Sequence, residues 1–321
     1  MLHTIKQKHT MDEVFDYRIP RLIKIRFAEF DCRLCSDKYE AEFLDGLPAP
    51  PPLYDDIECI KNGRYIKCRR NASEPFYSWF VPAKDDGMPL MVVIPGYEAQ
   101  LKSYPDVSDK YNLLFISPLG YSTPGGINYD KVFNGGTFPV LYNTLCGFEN
   151  SYKDWLLDAL TVIKFIEDKN LADTDKLIFA GTSHGGGMAM VLASYYGKER
   201  CMAVCADLPY LIGFSTNRFF DLLYEYSPPI DIRFRASEAK KRLSLVDPEW
   251  HASRLKMPVL ITSSDIDEDC PEEDIENLYD MIPDTTPKTY IKYNGRPHGY
   301  SSEFFKDMMS FLGEMKEVGY F

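Results

Sequence analysis

The residues that could do chemistry gather around one serine. The segment Lys176-Leu-Ile-Phe-Ala-Gly181-Thr-Ser183-His-Gly185-Gly-Gly-Met-Ala-Met190 runs from an apolar strand pattern through Gly-x-Ser-x-Gly into a helical pattern. A serine on so sharp a strand-to-helix turn exposes its hydroxyl at the sheet edge, and the residues two either side must be small. The first helical N–H groups then lie close to any negative charge formed there. Ser183 is therefore the expected nucleophile.

A serine hydroxyl attacks poorly without a base. The chain has five histidines: His3, His9, His184, His251 and His298. His3 and His9 lie at the N-terminus, and His184 is inside the turn itself. His298 sits in Asn294-Gly-Arg-Pro-His298-Gly-Tyr300, after the last strand pattern, Thr289–Tyr293. In this class of site the order is Ser, acid, His, so His298 is the expected base, and His251 is the outside alternative. The acid should follow a strand. Pro258–Pro271 supplies Asp265, Asp267 and Asp269 at a strand end, and spacing alone does not choose between Asp265 and Asp267. Asp207, after the strand pattern Ala203–Ala206, is a further candidate. The oxyanion needs two backbone donors. One is the N–H of His184; the other belongs to the turn Pro95-Gly96-Tyr97, where Tyr97 is the donor because Pro95 has no N–H.

The elements that must position these groups follow from periodicity. Leu90–Ile94, Leu113–Ser117, Leu177–Ala180, Ala203–Ala206 and Val259–Thr262 are short continuous apolar runs, as expected for strands buried on both faces of a parallel sheet. Helices are expected over Asp12–Phe30, Tyr152–Lys169, Glu272–Met281 and Ser302–Lys316. Before them, Tyr54–Ile60 and Arg64–Arg69 flank Asn62-Gly63, which predicts a hairpin with Glu58 opposite Lys67. Phe76–Val81 is a third strand. The Pro-rich stretch Leu47–Leu53 predicts an extended connector dividing an N-terminal helical arm, 1–46, from a main body, 47–321. Residues 207–250 break the alternation with many aromatics and predict an insertion.

Composition narrows the function. The 321 residues are 45% apolar and 26% charged, which is globular. Lys plus Arg number 36 against 48 Asp plus Glu, a net charge of −12, which disfavours nucleic acid or an anionic membrane as partner. No apolar run reaches a membrane span, and the N-terminus lacks the apolar core of a signal peptide, so a cytoplasmic protein is expected. The eight cysteines, including Cys32-x-x-Cys35, are expected to be buried thiols rather than disulfides or a zinc site.

Four stretches carry a resemblance. Gly181-Thr-Ser-His-Gly-Gly-Gly-Met-Ala189, Ala206-Asp-Leu-Pro-Tyr-Leu211, Pro258-Val-Leu-Ile261 with Asp267 and Cys270-Pro271, and Arg296-Pro-His298 together resemble the acetyl xylan esterase / cephalosporin-C deacetylase family. The resemblance implies an α/β-hydrolase fold: a mostly parallel central sheet, antiparallel strands at its N-terminal end and helices on both faces. It implies a catalytic triad of Ser183, Asp267 and His298, ranking Asp267 above Asp265 by its spacing to Cys270-Pro271. Asp207 becomes a structural residue, and the oxyanion donors map to the backbone of Tyr97 and His184. No metal or organic cofactor is implied. The implied activity is a serine carboxylester hydrolase that deacetylates acetylated sugars such as xylo-oligosaccharides, with assembly into homo-oligomers. The alternatives are a bulky-acyl esterase or prolyl-oligopeptidase-like peptidase using the same triad, and a non-catalytic binding protein on the same fold. The chain departs from the family at Pro95-Gly96, His184, Pro118–Tyr121 and Ser264-Asp265-Ile266, residues that shape the acyl pocket more than the triad.

Overall fold

The computed structural model describes residues 19–71, 73–97, 100–117, 122–127, 151–210 and 242–321. In chain order the elements are α1 (Ile19–Ser36), β1 (Tyr39–Leu44), β2 (Arg64–Arg70), β3 (Phe76–Val81), β4 (Pro89–Ile94) and β5 (Asn112–Ser117). A small pair follows, β6 (Ser122–Thr123) and β7 (Gly126–Ile127). Then come α2 (Ser151–Asp168), β8 (Asp173–Thr182), α3 (His184–Tyr196), β9 (Cys201–Asp207), β10 (Val259–Ser264), α4 (Glu272–Met281), β11 (Lys288–Tyr293) and α5 (Ser302–Glu317).

Nine strands form one sheet in the order β1-β2-β3-β5-β4-β8-β9-β10-β11. β1, β2, β3 and β5 pair antiparallel. From β5 onward every pairing is parallel. The apolar strands are buried on both faces because alternate residues serve different layers. Leu90, Val92 and Ile94 of β4 pack with Leu177 and Phe179 of β8 under α1, α2, α3 and α4. Met91, Val93, Ile178 and Ala180 face the other way, toward Tyr54, Tyr104 and the α5 residues Phe304, Met308, Phe311 and Leu312. β4 and β8 are adjacent although distant in the chain, with Ile94 beside Gly181. The chain winds outward from this pair in both directions, so the carboxyl ends of β4 and β8 form the switch point where α/β sheets place ligands.

The N-terminal region differs from expectation. No hairpin forms about Asn62-Gly63: Lys67 of β2 lies opposite Glu42 on one side and Tyr77 on the other, not opposite Glu58. Gly63 serves a close approach instead, since a Cβ there would stand 2.6 Å from the Trp79 ring. Residues 54–60 run as irregular chain, joined to the body by an isolated bridge between Cys59 and Pro105. The boundary at 46/47 is not a structural one either. β1 extends the sheet, and α1 buries Ile19, Ile23, Phe27 and Phe30 in the same core as α2 and α3. Leu47–Leu53 is extended, as its prolines require, and Leu53 donates to the Ser103 carbonyl. Cys32 and Cys35 are exposed rather than buried, because they fall off the apolar stripe of α1. Most of the expected 207–250 insertion lies outside the described residues, as do residues 118–121. Among the described residues no helix is long and apolar enough to cross a membrane.

Candidate active site

Ser183 stands between β8 and α3 at φ 59°, ψ −125°, a conformation that L-residues with side chains rarely adopt. Its backbone is locked on both sides. The Ser183 N–H donates to the Asp207 carbonyl at 2.8 Å, and the Ser183 carbonyl accepts from Gly187 and Tyr210. The two flanking glycines are dictated by contact. A Cβ at Gly181 would lie 2.4 Å from the Gly185 carbonyl oxygen, and one at Gly185 would lie 2.1 Å from that of Ile94. Both obstacles are backbone, so neither can yield cheaply.

Three chain-distant side chains meet there. His298 Nε2 lies 3.0 Å from Ser183 Oγ. His298 Nδ1 lies 2.7 Å from Asp267 Oδ2. Asp267 Oδ1 accepts from the backbone N–H groups of Asp269 and Cys270, each at 2.9 Å. Burial pushes the Asp267 carboxyl up, but the hydrogen bond from His298 and the two N–H donors outweigh it, and the net shift is downward. Asp267 is therefore ionised at neutral pH. That same hydrogen bond raises His298 above the ordinary imidazole value, against the opposing effect of burial. With Asp267 ionised and accepting, neutral His298 carries its proton on Nδ1 and turns the Nε2 lone pair to Ser183.

The other candidates have different surroundings. Asp265 is exposed and accepts from the Gly295 N–H at 2.6 Å, tying the end of β10 to the loop that carries His298. His251 is fully buried and bonded through both ring nitrogens, to Ser194 Oγ and the Leu245 carbonyl, and burial pushes it down to about 3. It is a core histidine. His184 is buried too and pushed down to about 4, so its ring is neutral, edge-on to Trp155 and Tyr97. The turn bearing Tyr97 crosses close over the serine: a Cβ on Gly96 would be 3.7 Å from Ser183 Cβ.

Asp207, at the end of β9, forms a buried hub. Its carboxylate accepts from Thr182 Oγ1 at 3.0 Å, Thr262 Oγ1 at 2.7 Å, and both terminal nitrogens of Arg296 at 2.7 and 2.6 Å. Arg296 also reaches the Gly299 carbonyl, and Ser264 Oγ donates to the Arg296 carbonyl. The ends of β8, β9 and β10 thus hold the loop two residues before His298. Sequence reasoning missed Tyr300. Its hydroxyl accepts from the Gly96 N–H at 2.7 Å and so ties the His298 loop to the turn over the serine. The available signal was its place two residues after His298.

Known proteins share this arrangement of elements. An acetyl xylan esterase from Paenibacillus sp. R4 superposes with a TM-score of 0.65 at 17% identity, covering 95% of this chain and 99% of that one. Acetyl xylan esterase 1 from Thermoanaerobacterium sp. JW/SL YS485 gives 0.66 at 15% identity, covering 96% and 99%. An acylaminoacyl peptidase from Pyrococcus horikoshii gives 0.55 at 16% identity, with 81% of this chain against 42% of that one. At such identities these likenesses establish the α/β-hydrolase fold. The family model for acetyl xylan esterase matches residues 145–315, more than half of the chain, and spans Ser183, Asp267 and His298. The chain belongs to the acetyl xylan esterase family and is a serine carboxylester hydrolase.

Proposed function

We propose that Ser183 is the nucleophile, His298 the general base and acid, and Asp267 the carboxylate that orients His298, in the removal of acetyl groups from acetylated xylo-oligosaccharides and related small esters. The observation that carries the reading is the unbroken chain Asp267–His298–Ser183 at 2.7 and 3.0 Å, ending on a serine held at positive φ.

The steps follow from the hydrogen bonds. Ser183 Oγ–H donates to His298 Nε2. As Oγ attacks the ester carbonyl, the proton passes to Nε2, and the imidazolium is paired with the Asp267 carboxylate. The carbonyl oxygen becomes an oxyanion facing the backbone N–H groups of His184 and Tyr97, at the amino end of α3. Each such donor is worth about 10²–10³ in rate. Nε2–H then protonates the departing sugar oxygen. Water enters and gives its proton to Nε2 as its oxygen adds to the acetyl carbonyl; Nε2–H then returns that proton to Ser183 Oγ as the acyl–oxygen bond breaks and acetate leaves. Burial pushes His184 down to about 4, so its ring stays neutral and brings no positive charge beside the hole.

The test is acetate release from acetylated xylo-oligosaccharides and from 4-nitrophenyl acetate, with butyryl and feruloyl esters and dipeptidyl amides alongside. Release from both acetyl substrates, with the others slow, is expected. Turnover of the amides or bulky esters instead would replace the deacetylase reading while keeping the triad. No turnover of any substrate would bring forward a binding protein.

A further inference from the structure

We propose that Asp267, Cys270 and His298 form an inhibitory site for a thiophilic divalent cation, with zinc the best match, which switches hydrolysis off by displacing the proton between His298 and Asp267. This rests on the reading of His298 as the general base and Asp267 as the carboxylate that orients it.

The geometry is a consequence of one tight turn. Asp267 Oδ1 accepts from the Cys270 N–H, which fixes Cys270 three residues on, beside the carboxylate. One ligand atom each from Asp267, Cys270 and His298 lies within 4.8 Å of the others. Asp267 and Cys270 are buried, and His298 is half-buried beside them. Cys270 is not in a disulfide, and the hydrolytic steps make no use of its sulfur.

The donor set selects the ion. Thiolate, imidazole and carboxylate together suit zinc, at about 2.3 Å to sulfur and about 2.0–2.2 Å to nitrogen and oxygen. Magnesium and calcium take oxygen cages and have no use for the sulfur. Around a tetrahedral ion the ligand atoms stand about 3.3–3.6 Å apart. The His298–Asp267 pair must therefore open slightly from 2.7 Å while Cys270 closes in. Charge balances locally: a dication meets one carboxylate and one thiolate, so the buried assembly is neutral.

The protons also balance. The Cys270 thiol loses its proton to solvent as the sulfur–metal bond forms. The Nδ1 proton of His298 is displaced, the ring takes one up on Nε2, and one proton leaves per ion bound. Nε2–H then faces Ser183 Oγ as a donor and can no longer accept the serine proton. Because the ion sits behind His298 and not on the ester, kcat falls while KM stays.

The experiment titrates zinc, and magnesium as control, into 4-nitrophenyl acetate hydrolysis. It uses a Cys32→Ser/Cys35→Ser background, because those exposed thiols on α1 offer zinc another place. Zinc is expected to lower kcat reversibly, with activity restored by chelator, and magnesium to do nothing. Cys270→Ala and Cys270→Ser should each raise the inhibition constant about tenfold or more. Equal zinc inhibition in these variants overturns the proposal. Calorimetry in the Ser183→Ala protein reads the same site without turnover: one zinc per chain is expected, lost on adding Cys270→Ser. Zinc bound equally after that change overturns the site. Zinc bound through Cys270 with hydrolysis undiminished would instead sink the catalytic reading of Asp267 and His298.

Discussion

Replacing Arg296 by Met keeps the length of the side chain and removes its charge, which isolates what the Arg296–Asp207 pair does. Asp207 is fully buried and the Arg296 side chain is 8% exposed, so neither group is screened by water. Asp207 would lose both charge-assisted bonds, at 2.7 and 2.6 Å, and among the described residues keep only the hydroxyls of Thr182 and Thr262 as side-chain donors. A buried charge stripped of its partner costs roughly 3–5 kcal/mol. That is a large fraction of the stability of an ordinary domain. Removing both charges together, in Asp207→Asn/Arg296→Met, should cost less than the sum of the single changes, with coupling of about 1–3 kcal/mol. Urea denaturation of the four proteins at neutral pH gives these values. Because Arg296 is two residues from His298, kcat should fall in the single variant at temperatures where it remains folded. A loss under about 1 kcal/mol, as for an exposed ion pair, would refute the hub.

Other outcomes follow from the same geometry. Tyr300→Phe leaves the Gly96 N–H without its acceptor, a cost of about 1–3 kcal/mol, and loosens the turn over the serine; kcat should drop several-fold to a hundredfold with KM nearly unchanged, and an unchanged kcat would contradict the tie. With His298 as the proposed base, kcat/KM should rise with pH and level off later than an ordinary imidazole would give, because its proton is held more tightly than usual; a profile flat from acid to neutral pH would argue against His298 as base. Gly185→Ala should yield little folded or active protein, since its Cβ would collide with the Ile94 carbonyl at 2.1 Å; a variant with wild-type melting and rate would show that the turn is slack.

The sequence was most readable where local pattern and chemistry coincide. The strand, Gly-x-Ser-x-Gly and helix of β8 and α3 are contiguous, so the turn was visible without the fold. The central strands were visible because burial on both faces makes them continuous apolar runs, as in Leu90–Ile94 of β4 and Leu113–Ile116 of β5. The N-terminal region misled for the opposite reason. β1 is a half-exposed edge strand with weak alternation, and the Pro-rich segment after it looked like a boundary although the sheet continues past it. Asn62-Gly63 carried a hairpin signal, while the glycine was there for the Trp79 ring. Choosing Asp267 over Asp265 needed family spacing, because both carboxylates lie on one loop and only the pairing with His298 separates them. The Asp207–Arg296 and Gly96–Tyr300 ties join residues 89 and 204 positions apart, and no periodicity encodes such contacts.

The most direct measurement is covalent labelling by a serine-reactive fluorophosphonate, read by mass spectrometry of the digested protein, with rates measured in parallel. One label per chain is expected on the peptide containing Ser183. Labelling and acetate release should both be lost in Ser183→Ala, and labelling should slow steeply in His298→Ala. A label on another residue, or acetate release that persists in Ser183→Ala, would contradict the assignment of Ser183 as the nucleophile.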